Sequence, residues 1–266
     1  MTAGSLVRGL LAAAVTAVST VAGAVGAADG PSAAAAGGPE PFIVGGTSVD
    51  RAYPFMASLQ DTAGHHFCGG SLVGPAWVVT AAHCVLDLRP SQLRLRIGSM
   101  DRTAGGELVG ASGFTVHPGY DGHSPGNDIA LIHLDTAVHA APVTIAAGSG
   151  GPGTRTRIIG WGQTCPQPNG CAIPQTLRQL DTQLVDPARC THIDAAHELC
   201  TDNPHGDAGA CYGDSGSPQL RLVAGVWQLI GATSRSGNDD PTCATGPSIY
   251  TDVTAYAGWI AAHTGG

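Results

Sequence analysis

Gly213-Asp214-Ser215-Gly216-Ser217-Pro218 stands near the C-terminal end of a 266-residue chain, with one serine held between an acidic residue and a glycine. A serine hydroxyl is a poor nucleophile at its free pKa. Acyl-transfer chemistry needs an imidazole to take its proton and a carboxylate to orient that imidazole. Two upstream segments carry those groups, Thr80-Ala81-Ala82-His83-Cys84 and Asn127-Asp128-Ile129-Ala130-Leu131. The order along the chain is therefore His, Asp, Ser. An α/β-hydrolase elbow presents the serine first, on Gly-x-Ser-x-Gly, whereas here Ser217 stands at the last glycine of that pattern and the order is reversed.

Taken together, the three segments and their flanking cysteines resemble the trypsin/chymotrypsin-type serine endopeptidases. The resemblance implies an all-β fold of two six-stranded antiparallel β-barrels with a catalytic cleft between them and a C-terminal helix. It implies catalysis by His83 as general base and acid, Asp128 as its orienting carboxylate and Ser215 as nucleophile, with the N–H groups of Gly213 and Ser215 as oxyanion hole. It also makes Ile43-Val44-Gly45-Gly46 a new N-terminus released by cleavage, whose α-amino group pairs with Asp214. A buried ammonium and carboxylate are tolerable only together, so the uncut chain is expected to be a zymogen. Phe42, not Arg or Lys, precedes Ile43, so a trypsin-like activator would not cut there. Another secreted protease, or the enzyme itself acting at an aromatic site, is expected to do so.

The first 27 residues hold one basic residue, Arg8, and then an uncharged run ending in small residues around Ala24-Val25-Gly26-Ala27, the layout of a secretory signal peptide. Only two leucines lie in that run, which makes a weak membrane anchor. Residues 28–42 are rich in Ala, Gly and Pro and read as a propeptide that buries nothing. Residues 43–266 form the peptidase domain, with a first barrel over about 43–148 and a second over about 154–266. The low-complexity stretch 146–153 reads as the linker between them.

Setting aside Arg8, Asp29 and Glu40 takes the net charge from −8 to −7. Such a balance argues against nucleic acid and anionic membranes as partners. Eight cysteines, all after residue 67 in a chain with an export signal, point to four disulfides and an extracellular location. The family resemblance pairs Cys68 with Cys84, Cys190 with Cys200 and Cys211 with Cys243. Cys165 and Cys171 remain for a small local ring. No Cys-x-x-Cys pair or His-Glu-x-x-His helix occurs, so no metal is assigned, and no nucleotide, flavin or haem signature is present, so no cofactor is expected. The expected partners are polypeptide substrates, an activating protease and protein inhibitors, and the expected state is a monomer.

Short apolar stretches, among them 71–79, 93–97, 129–134, 157–160 and 226–232, alternate with Gly, Pro, Asn and Asp breaks as in an all-β protein. Val253, Tyr256, Trp259 and Ile260 share one face of a terminal helix, with Thr251 or Asp252 as cap. Of the other histidines, His65-His66 and His205 read as solvated side chains. By resemblance the specificity pocket is built from Gly209, Ser234, Ser236 and Ser248. Gly209 puts no carboxylate at its floor, and Asp207 faces elsewhere. Where Ser-Trp-Gly is usual the chain reads Ser234-Arg235-Ser236. Serines replacing glycines at 236 and 248 narrow the pocket and make it polar, which favours a small or medium uncharged side chain. A catalytically silent binding protein on the same fold and an esterase are the alternatives.

Overall fold

The computed structural model describes Met1 and residues 43–265; the signal-peptide and propeptide assignments lie outside the described residues. The strands in chain order are β1 (Thr47–Ser48), β2 (Met56–Gln60), β3 (His66–Gly74), β4 (Trp77–Thr80), β5 (Arg94–Ile97), β6 (Glu107–Val116) and β7 (Ala130–Leu134). They continue with β8 (Arg155–Gly160), β9 (Arg178–Gln183), β10 (Glu198–Thr201), β11 (Pro218–Val223), β12 (Val226–Ser236) and β13 (Ser248–Asp252). One helix, α1 (Ala257–Thr264), closes the described chain.

Strands β2, β3, β4, β7, β6 and β5 form a closed antiparallel barrel, sealed by the ladder from Ala57–Ile97 to Gln60–Arg94 between β2 and β5. Closure removes both edges, so no unpaired N–H row is left exposed. Leu59, Leu72, Val78, Leu95, Ile97 and Ile132 fill it, each fully buried. The apolar run 71–79 is divided between β3 and β4 because Pro75 lacks an N–H and turns the chain.

The second body is a seven-stranded sheet in the order β1-β9-β8-β11-β12-β13-β10. Six of its strands are brought nearly full circle by the Leu184–Thr201 bridge and the bond from Val185 N to Cys200 O, 2.9 Å, which join the end of β9 to β10. The additional strand, β1, comes from the segment just after Ile43, so residues 43–48 pair with the second barrel although they precede the first in sequence. The hairpin from β11 to β12 turns on Ala224 and Gly225, both at positive φ (48° and 82°). Such two-residue turns match the right-handed strand twist.

Two expectations change. Segment 146–153 is packed structure and not a free linker: Ala146 and Ser149 are buried, Ala146 N donates to Leu229 O, and Ser149 Oγ donates to Asp252 Oδ2 at 2.6 Å. Its glycines serve turns, Gly150 and Gly153 having φ of 94° and 87°. The terminal segment begins as a 3-10 turn over Val253–Tyr256 and becomes α1, and Asp252 caps it by accepting from Thr254 N at 2.9 Å. Trp259 meets the ring of His117, on the first barrel's side of the molecule. Disulfides join Cys68–Cys84, Cys165–Cys171, Cys190–Cys200 and Cys211–Cys243.

Candidate active site

His83 sits in a 3-10 turn, Ala82–Cys84, directly after β4, where fully buried Ala81 and Ala82 let the turn press against the barrel. Its backbone N–H donates to Asp128 Oδ1 at 3.0 Å, and its Nδ1 lies 2.8 Å from Asp128 Oδ2. A carboxylate only accepts, so Nδ1 carries the proton and Nε2 is left as the basic nitrogen. Asp128 is itself buried and precedes β7. Ser234 Oγ also donates to its Oδ2, at 2.6 Å, and Thr251 Oγ1 donates to its carbonyl at 2.8 Å. Burial alone would raise the Asp128 carboxyl; the His83 imidazole and N–H together with the Ser234 hydroxyl outweigh it and hold the pKa below the ordinary value. Ser234 reaches this position because β12 bulges between Thr233 and Arg235, which re-aims the intervening side chain.

Ser215 lies on a tight turn bound at every side. Asp214 N donates to Cys211 O, Ser217 N to Asp214 O, Gly216 N to Thr233 O, and Gly69 N to Ser215 O. Gly213 and Gly216 have φ of 96° and 74°, a region a side chain makes costly. At Gly216 a Cβ would also lie 2.2 Å from Thr80 Oγ1 and 2.5 Å from Gly69 O. Gly216→Ala is therefore expected to cost at least ~2 kcal/mol of stability, read by urea unfolding, and to abolish any activity of Ser215. Among the described residues no acceptor takes the N–H of Gly213 or of Ser215. Ser215 lines a cavity of about 280 Å³, and His83 and Asp128 line an adjoining groove of about 630 Å³; Ser234 and Arg235 border both.

His66 is not solvated. It is buried, with Nε2 3.0 Å from Gly213 O and Nδ1 2.8 Å from Ser58 Oγ. A carbonyl can only accept, so Nε2–H donates to Gly213, the Ser58 hydroxyl donates to Nδ1, and Gln60 Nε2 donates to Ser58 Oγ. Burial, the largest influence, lowers its pKa to about 4, leaving a neutral ring that anchors the turn before Ser215. Strand alternation does not carry this signal: β3 bulges here, Gln60 pairing with His66 and Leu59 with Cys68, so His66 shares the face of Ser58 and Gln60, opposite that of Cys68, and is covered by Gly213. His205, by contrast, is exposed.

Asp214 is buried and accepts from Gly162 N at 2.7 Å and Cys211 N at 2.9 Å. Burial raises its pKa to about 7 against those two donors, and among the described residues no cation is paired with it. Ile43 is buried among Ile158, Leu199, Ile230 and Tyr250, and Val44 bridges to Gly209.

Gly209 contributes no atom to the lining of the 280 Å³ cavity, but a Cβ there would lie 3.7 Å from the Ser248 hydroxyl that does; Ala210, Tyr212 and the Cys211–Cys243 disulfide line it directly. Asp207 is exposed and lines none of it. Ser234, Ser236 and Ser248 all line the cavity, but Ser234 is committed to Asp128 and Ser236 Oγ to Asn238 Oδ1 at 2.6 Å. Of these three serines, Ser248 is the one whose hydroxyl has no hydrogen-bond partner among the described residues. Asn238 and Asp240, unforeseen in the sequence, form the rim. The Asp240 carboxylate accepts from Thr242 N at 2.8 Å and from Thr245 Oγ1 at 3.1 Å, so it is turned into its own loop. The sulfurs of Cys68 and Cys84 lie beside His83, but they are bonded to each other and leave no thiolate for a metal.

A closed barrel beside a second sheet, a carboxylate-bound imidazole, and a serine on a rigid turn in a cavity that shares Ser234 and Arg235 with the imidazole's groove fit one class, a serine endopeptidase. Comparison with known sequences is specific as to family. The family profile "Trypsin" matches residues 43–260. The chain is 34% identical over 234 residues to a trypsin of Sarcophaga bullata, covering 82% of this chain and 87% of that one. It is 35% identical to trypsin epsilon of Drosophila erecta, covering 82% and 86%, and 32% identical to a fibrinolytic enzyme, isozyme C, of Lumbricus rubellus, covering 82% and 98%. The chain belongs to the trypsin family.

Proposed function

We propose that this serine endopeptidase is exported, is made as a zymogen, and cleaves polypeptides after an uncharged side chain through a Ser215–His83–Asp128 triad. The observation that carries the reading is the Asp128 carboxylate, which receives two hydrogen bonds from His83 and one from Ser234 and so leaves Nε2 as the base. Ser215 Oγ attacks the scissile carbonyl while His83 Nε2 takes its proton, and the oxyanion accepts from the N–H groups of Gly213 and Ser215. Collapse breaks the C–N bond, and the proton on Nε2 leaves with the amine. Water then repeats the sequence on the acyl-enzyme and frees Ser215. The four disulfides and the leader-like residues 1–27 support export to an oxidising compartment. Activation by a cut between Phe42 and Ile43 is supported by a buried Asp214 that has no cationic partner among the described residues.

The test is digestion of a peptide library by the chain beginning at Ile43, beside its Ser215→Ala form, with cut sites read by mass spectrometry. Cuts lost in the variant and clustered after uncharged residues are expected. Cuts after Arg or Lys overturn the pocket reading. Labelling of Ser215 by a phosphonate without peptide cleavage makes the protein an esterase, and absence of both makes it a binding protein.

Ser248 controls the pocket in a checkable way. Its hydroxyl is the uncommitted one, and it lies near Gly209, where a Cβ would be 3.7 Å from it. Ser248→Asp is expected to place a carboxylate at the base and move the preference toward Arg and Lys by at least about tenfold in kcat/KM, since one charge-assisted hydrogen bond contributes ~1.5–3 kcal/mol.

A further inference from the structure

One ion pair in the molecule joins more segments than its neighbours do. Glu198 opens β10, and its side chain has no solvent exposure. Its Oε1 accepts from Arg235 Nη1 at 2.5 Å and from Gly126 N at 2.9 Å. Its Oε2 accepts from Arg235 Nη2 at 2.9 Å and from Asp194 N at 2.8 Å. Arg235 Nη2 donates further to His192 O at 2.7 Å, and Nη1 lies 3.4 Å from Ser234 Oγ. Gly126 is two residues before Asp128, and Ser234 is the hydroxyl on the Asp128 carboxylate. A single bidentate pair thus ties the loop that carries Asp128, the loop 192–194 and the edge of β12 to one buried carboxylate.

We propose that Arg235 and Glu198 are the positioning pair of the cleft, holding Gly126 and Ser234 at fixed separation so that Asp128 meets His83 and Ser234 together. This rests on the reading of Ser215, His83 and Asp128 as the reacting groups. A planar guanidinium matches a carboxylate in two bonds at once, so the pair fixes direction as well as distance. Removing one partner is worse than removing both: Glu198 without Arg235 is a buried charge with only two N–H donors, and Arg235 without Glu198 is an uncompensated cation beside Ser234. The same guanidinium also faces the 630 Å³ groove next to His83, along with Tyr120, Pro125, His192 and Asp239. That wall is a hydrogen-bonded ion pair where an apolar side chain would hold nothing in place.

The charge of the pair gives it a signature that packing alone does not have. The other charged and titratable groups facing it are Asp128 and His83 across Ser234, Asp194 and His197 from the 192–197 loop, His192 with Asp239, and the hydroxyls of Tyr120 and Tyr256. All of these stay constant in the comparison below. Loss of Glu198 leaves a net positive charge that disfavours the His83 imidazolium. Loss of Arg235 leaves none.

The experiment uses the full mature chain as parent, Arg235→Gln, Glu198→Gln and the double variant, with folding of each checked by circular dichroism. The His83 titration is followed by NMR of its ring, amide exchange is read at Gly126 and Asp194, and kcat and KM are measured on one peptide substrate. Glu198→Gln is expected to move the His83 midpoint downward. Arg235→Gln is expected not to lower it, and the double variant is expected to return close to the parent. Either single variant should speed exchange at Gly126 and lower kcat ~10- to 100-fold with a smaller change in KM, since small displacements of reacting groups are costly. Arg235→Lys should recover part of kcat. A downward His83 shift in both single variants or in neither, or unchanged exchange at Gly126, overturns the proposal. The NMR and exchange readings do not depend on turnover, so they decide the positioning role even if the parent's peptide cleavage proves independent of Ser215, a result that would instead defeat the functional reading.

Discussion

Ser215→Ala in the chain beginning at Ile43 is expected to lower kcat for peptide hydrolysis by about 10⁵- to 10⁶-fold, and His83→Ala on top of it to cost almost nothing more, because in the proposed triad the two groups act as one device. The residual rate is expected from the N–H groups of Gly213 and Ser215, the proposed oxyanion donors, which neither substitution removes. Asp128→Asn falls nearly as far, by about 10⁴-fold, for a reason visible in the hydrogen bonds. The carboxylate accepts His83 N on Oδ1 and both His83 Nδ1–H and Ser234 Oγ–H on Oδ2. An asparagine that keeps its oxygen on His83 N turns its NH₂ toward Nδ1. The ring must then accept at Nδ1 and carry its proton on Nε2, where Ser215 needs a base. Ser234→Ala removes one of the three donors and leaves the tautomer intact, so its loss is only on the order of tenfold. Steady-state rates, with functional sites counted by phosphonate titration, separate these cases. A Ser215→Ala chain retaining more than about one per cent of parent kcat excludes Ser215 as the nucleophile.

Removal of residues 1–42 changes how stability depends on pH, and the sign follows from two buried groups with opposite shifts. Asp214 has a folded pKa of about 7 against an ordinary 3.8. Between those values the unfolded chain has released a proton that the folded chain retains, so stability falls as pH rises through the window, by about 4 kcal/mol overall. His66 is depressed to about 4 from 6.5. Between those values the unfolded chain holds a proton that the folded chain lacks, so stability rises with pH, by about 3 kcal/mol overall. The two slopes nearly cancel, and the uncut chain is expected to be almost flat from pH 4 to 6.5. In the activation proposed above, a cut before Ile43 supplies an ammonium for Asp214, which is then expected to stay charged in the fold. Its cost disappears and the rise due to His66 is unmasked. Urea midpoints at pH 4.5 and 6.5, on Ser215→Ala chains before and after removal of 1–42, measure this. Asp214→Asn in the uncut chain should show the same unmasked rise. A mature chain as flat as the uncut one means that the Ile43–Asp214 pair does not form.

The amino-acid sequence by itself determined the nucleophile turn, the His83 and Asp128 segments, the cysteine pairs once the family was recognised, and the all-β character. Apart from the cysteine pairs, which stand 6 to 32 positions apart and rest on the family resemblance, these depend on short-range chemistry: turn glycines, strand alternation, and residue types whose role is legible within five or six positions. The exception among local signals was His66, where the doublet with His65 suggested solvent, while a bulge in β3 and the distant Gly213 carbonyl bury the ring. Tertiary structure alone decided the rest. Ser234 serves Asp128 because β12 bulges, Asp240 rims the pocket, and Arg235 reaches Glu198 across 37 positions of sequence. Segment 146–153, which composition marks as a linker, is pinned to the second barrel by Leu229 and Asp252. A side chain with several available hydrogen bonds takes the one its neighbours in space offer, and those neighbours, lying tens to more than a hundred residues away, exist only after the barrels have closed.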